Sequence, residues 1–71
     1  MNKFKKGDIV LVRRQYHKII EISEVVGYQE KGYFAGYVTL KELGKKDIQI
    51  HYFSKEEFVI LATPLNRALY L

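Results

Sequence analysis

At 71 residues with no cysteine, the chain has room for one domain with a small core, which neither a disulfide nor a thiolate metal centre can staple. The formal net charge of +4 is unevenly placed: residues 1–20 carry Lys3, Lys5, Lys6, Arg13, Arg14 and Lys18 against Asp8 alone, which points either to an anionic partner or to a lysine-solubilised surface. This size argues against an elaborate enzyme. The lack of an apolar run of 18 residues argues against a spanning helix, and the start Met1-Asn2-Lys3-Phe4-Lys5-Lys6 does not lead into a secretory segment, so a cytoplasmic single domain over residues 1–71 is expected.

Gly7-Asp8 forms a turn that launches the first strand, Ile9-Val10-Leu11-Val12. Ile9, Leu11 and Arg13 fall on one face while Val10, Val12 and Arg14 fall on the other, so both faces of the early strand should be covered. After a short Gln15-Tyr16-His17 connection, a long second strand is expected from His17 to Tyr28, with a bulge at Ser23-Glu24 where the alternation slips.

Two glycines between 27 and 32 mark a connection into a third strand over Tyr33 to Leu43. In that strand Phe34, Gly36, Val38 and Leu40 would face the core, and Tyr33, Ala35, Tyr37 and Thr39 the outside. Gly44-Lys45-Lys46-Asp47 supplies a hairpin turn into a fourth strand, in which Ile48, Ile50 and Tyr52 alternate with Gln49, His51 and Phe53.

Ser54-Lys55-Glu56-Glu57 has capping-box spacing and predicts one helical turn before a last strand, Phe58-Val59-Ile60-Leu61. In the tail, Thr63 as cap, Pro64 in the first turn, and Leu65, Ala68 and Leu69 at helical spacing suggest a short C-terminal helix. That helix either folds back to plug one end of the domain, the favoured expectation, or makes a homodimer or partner contact.

The opening run Phe4-Lys5-Lys6-Gly7-Asp8-Ile9-Val10-Leu11-Val12, a long second strand, two further strands, one helical turn and a short last strand resemble the SH3-like barrel over residues 4–62, leaving 63–71 as a tail. The resemblance implies an all-β, five-stranded barrel that serves as a docking surface. Gly7-Asp8, Lys31-Gly32 and Gly36-Tyr37-Val38 are similar to the KOW class of translation and transcription factors. Residues 9 to 30 intervene between Asp8 and Lys31 where that motif is compact, so ribosome or polymerase binding is not carried over. The chain is also similar in outline to small barrels of Gram-positive bacteria and their prophages.

Site chemistry is sparse, and no catalytic, cofactor-binding or metal-binding residue is expected. His17 and His51 are too few for a metal set, neither Ser23 nor Ser54 has a histidine and carboxylate beside it in sequence, and Glu56 and Glu57 diverge on a helical turn. The chain therefore reads as a non-enzymatic binding module, bacterial or phage in type, for a protein partner. Tyr33, Tyr37, Tyr16, Gln49 and His51 are its candidate contacts, since tyrosine supplies rigid area with a polar tip. The alternative is single-stranded RNA or DNA, with Arg13, Arg14, Lys18, Lys45 and Lys46 on phosphates and Tyr16 or Tyr37 stacked on bases.

Overall fold

The computed structural model describes residues 2–13, 20–44 and 51–71. Five antiparallel strands, β1 (Ile9–Arg13), β2 (Ile20–Tyr28), β3 (Val38–Glu42), β4 (His51–Ser54) and β5 (Val59–Leu61), form one sheet in the order β4-β3-β2-β1-β5. A single 3₁₀ turn, Glu56–Phe58, precedes β5, and a helix, α1 (Pro64–Tyr70), follows it. The mainly β architecture is the one the sequence predicts.

Alternation along β1 builds the core. Val10, Val12, Val25, Val38, Leu40 and Val59 cluster with Phe4, and Tyr28 and Tyr52 pack against them. These residues come from all five strands, so the sheet coils around its inner face; a flat sheet would not bring β4 and β5 side chains to one cluster. Each buried valine or leucine contributes roughly 1.5–3 kcal/mol. Leu11 sits on the opposite face, level with Ile22 of β2 and Ile60 of β5, and is also buried. Both faces of β1 are thus covered, as its sequence demands.

Four local expectations are corrected. The third strand begins at Val38, because the chain from Gly32 to Gly36 turns: the Ala35 amide donates to Gly32 O, the Tyr37 amide to Phe34 O and the Gly36 amide to Gln29 O. Gly32 and Gly36 hold φ of 89° and 87°, values that glycine adopts without strain. The bulge falls between Val25 and Gly27, whereas Ser23 and Glu24 pair in register with Val10 and Ile9.

The capping box is not formed. Lys55 is the N-cap of the 3₁₀ turn and makes no side-chain cap, while the Ser54 hydroxyl donates to Lys55 O at 3.1 Å. A three-residue turn leaves few orphan amides for a reciprocal cap to satisfy. Finally, α1 forms with Thr63 accepting from the Asn66 amide at 3.1 Å, but it buries none of its residues and so plugs nothing. Its anchors are polar: Asn66 Nδ2 donates to Leu61 O at 2.8 Å and Arg67 Nε to Ala62 O at 3.0 Å. The Gln15-Tyr16-His17 connection, the start of the second strand, the Lys45-Lys46-Asp47 part of the turn and the Ile48-to-Ile50 part of the fourth strand lie outside the described residues.

Candidate functional site

The turn at 32–36 converts an expected strand face into an aromatic knuckle. Phe34 stands at its centre, with ring centroids 5.1 Å from Tyr33 and 5.2 Å from Tyr37 in edge-to-face geometry, and 5.5 Å from Phe53 of β4. Such pairs add about 0.5–1.5 kcal/mol beyond area burial, enough to hold the rings in place without hiding them. Tyr33 is 92% exposed, and Phe34 and Phe53 remain exposed as well. Tyr33 and Tyr37, expected on one strand face with Ala35 between them, flank Phe34 in the turn instead. Phe34, expected in the core, is the centre of the exposed cluster.

Next to the knuckle is a groove of about 220 Å³, lined by Val12, Arg13, Tyr37, Tyr52, Phe53, Ser54, Lys55 and Phe58. Four of these residues, 52 to 55, are consecutive. Neighbouring residues on a strand point to opposite faces, so a groove that touches all four runs along the strand edge and not over one face. Among the described residues β4 pairs only with β3, so no described strand covers its other edge. A strand edge without a neighbour presents N–H and C=O groups with which another extended chain can pair.

The side chains that line this groove are held from behind. Tyr52 hydrogen-bonds through its hydroxyl to the fully buried Ser23 hydroxyl, which fixes the ring. Phe58 belongs to the 3₁₀ turn, whose position is tied by Glu56. The Tyr28 hydroxyl and the Lys3 amide both donate to Glu56 Oε2, the latter at 2.9 Å, and the Tyr28 hydroxyl accepts from the Phe4 amide at 3.1 Å. The Tyr28 hydrogen bond, followed by that of Lys3, holds the Glu56 carboxyl below its usual 4.5. Partial burial, reinforced by the Glu56 hydrogen bond, raises the Tyr28 phenol above 10.0.

Among the described residues the edge groove is electrostatically one-sided, with Arg13 and Lys55 as its charged lining residues. Of the basic residues expected to meet phosphate, Arg13 is placed here; Arg14, Lys18, Lys45 and Lys46 lie outside the described residues, as do Tyr16 and Gln49. His51 is exposed on β4, opposite Lys41 of β3, and does not line the groove. Among the described residues no group of three or more His, Cys, Asp or Glu is placed to hold a metal, and no helix is long and apolar enough to cross a membrane.

Sequence reasoning missed Phe34, Phe53, Phe58 and Lys55 as lining or flanking residues. The two glycines that bracket residues 33–35 carried the signal for the knuckle, and the even spacing of aromatic residues masked it. No protein-family model, curated protein or solved structure matches this chain.

Proposed function

We propose that this chain is a non-enzymatic docking module that takes up an acidic, extended segment of a protein partner along the open edge of β4. The observation that carries this reading is the coincidence of a strand edge that no described strand pairs with and a groove walled by Tyr37, Tyr52, Phe53 and Phe58, whose charged residues among the described ones are Arg13 and Lys55. An added strand draws affinity from main-chain hydrogen bonds and selectivity from pockets for alternate side chains. The ligand's backbone would continue the ladder, an apolar side chain would enter between the rings, and a carboxylate would meet Arg13 or Lys55.

The same rings and cations suit a single-stranded nucleic acid, in which bases stack and phosphates pair. The strand edge favours a peptide over that alternative, because a sugar-phosphate backbone cannot complete a β-ladder.

The test is fluorescence anisotropy with labelled eight-residue peptides and with oligo-dT and oligo-U. An alternating Glu/Val peptide should bind, and its Lys/Val counterpart should not. A version with proline at alternate positions, which removes amides from the ladder, should lose about tenfold or more. Tyr37→Ala should abolish capture while the far-UV spectrum stays native. Oligonucleotides that bind more tightly than every peptide, with affinity falling steeply as salt rises, would replace this reading with the nucleic-acid one.

A further inference from the structure

A second groove, of about 300 Å³, lies on the outer face of the sheet and is lined by Leu11, Arg13, Ile20, Glu57, Phe58, Ile60 and Tyr70. Its floor is apolar, and among the described residues its charges are one cation and one carboxylate, in contrast to the edge groove. Arg13 and Glu57 form no ion pair with each other among the described residues. Tyr70 is the last residue of α1, so the helix stands at the groove's margin. That helix exposes Leu65 and Leu69, at 68% and 64%, and its C-cap Leu71 is 64% exposed.

A seven-residue helix that buries nothing is too short to persist by its own hydrogen bonds. It needs an apolar cover. The described residues supply three complementary parts: a groove that can receive leucines, a helix at its margin that exposes them, and one charge of each sign in the groove. This is the composition a two-fold interface requires, because the same patch must be both donor and recipient.

We infer that the outer groove and α1 form an isologous homodimer interface, in which α1 of each copy lays Leu65 and Leu69 into the groove of the other and Arg13 of each copy faces Glu57 of its mate. The interface does not rest on peptide uptake. Phe58 and Arg13 are shared by the two grooves, so every substitution is read by self-association in the absence of peptide.

Sedimentation equilibrium from micromolar to near-millimolar concentration tests the inference. The intact chain should dimerise, and Leu65→Glu with Leu69→Glu should weaken dimerisation at least about tenfold. Both positions are exposed in the single copy, so the substitution should leave the strand spectrum native. Glu57→Arg should also weaken the dimer, by setting two arginines against each other, and adding Arg13→Glu should restore it. A chain that stays monomeric throughout overturns the inference and leaves the groove to an amphipathic helix of another protein. A dimer indifferent to the leucine pair, or a charge swap that fails to restore association, overturns it equally.

Discussion

On the inner side of the sheet, Tyr28 and Tyr52 lie half-buried against the valine cluster, with their hydroxyls engaged by Glu56 and Ser23. At the 32–36 turn, Tyr33, Tyr37 and Phe53 each pack against Phe34, with Tyr33, Phe34 and Phe53 in the open, next to a strand edge. The same residue type is used in opposite ways. In the first region the ring completes a core and the hydroxyl satisfies a buried or bridging polar group. In the second the rings pre-organise each other, so a ligand that packs on them meets side chains with little rotamer freedom left to lose.

The largest expected effect separates the two regions by stability. Leu40 is fully buried at the centre of the inner cluster, and Leu40→Ala should cost about 2–5 kcal/mol through lost transfer energy and a residual cavity. For a domain of this size, whose total stability is on the order of 4–11 kcal/mol at roughly 0.05–0.15 kcal/mol per residue, that loss should unfold a large share of the chain near body temperature. Phe34→Ala should cost no more than about 1.5 kcal/mol, the range of a single surface aromatic pair, while still weakening capture of the acidic peptide. Urea melts of the two variants check this. A Phe34→Ala variant as unstable as Leu40→Ala would make the aromatic knuckle an outlying part of the core and remove its claim to be a docking surface.

A smaller effect sharpens the contrast between hydroxyls. Tyr52→Phe takes a partner from Ser23, which is fully buried. The expected loss is about 1–3 kcal/mol, the cost of an unsatisfied buried polar group. Adding Ser23→Ala should recover part of it, since removing both partners leaves no orphan. Tyr37→Phe, at a residue that lines the groove, should stay within about 0.5 kcal/mol of the parent in denaturant.

The sheet was legible because period-two alternation is a local signal: Val10 and Val12 against Leu11 could hardly mean anything but a strand covered on both faces. The C-terminal helix was legible from Thr63 and Pro64 for the same reason. What misled was alternation without a strand beneath it. Tyr33-Phe34-Ala35 reads as strand by composition, yet Gly32 and Gly36 take positive φ on either side and close a turn. The bonds that fix the candidate site were invisible for a different reason. Tyr28 meets Glu56 across 28 positions and Lys3 meets it across 53, and no local pattern encodes such pairings. Ser54 was assigned to a cap because its spacing allows one, but the turn that follows is too short to need it.

The smallest expected effect concerns the latch that seats the 3₁₀ turn. The Glu56 carboxyl is held below 4.5 by the donated hydrogen bonds of Tyr28 and the Lys3 amide. A carboxyl depressed by folding contributes stability above its unfolded value, and that contribution disappears as pH falls through the depressed folded value. Wild-type Tm should therefore fall more steeply below about pH 4.5 than that of Glu56→Gln, which keeps the shape and loses the titration. Tyr28 gives the opposite sign. Its phenol is raised by burial and by Glu56, so its contribution is present up to about pH 10 and is lost at higher pH, and Tyr28→Phe should flatten that limb. Thermal melts by circular dichroism across both limbs measure each slope, and the protection of the Lys3 amide against exchange, relative to the intrinsic rate at each pH, should fall on the acid side as its acceptor is protonated. Parallel curves for the wild type and Glu56→Gln would mean that the N-terminal segment is held by Phe4 in the core alone, and that the position of Phe58 in the edge groove does not depend on Glu56.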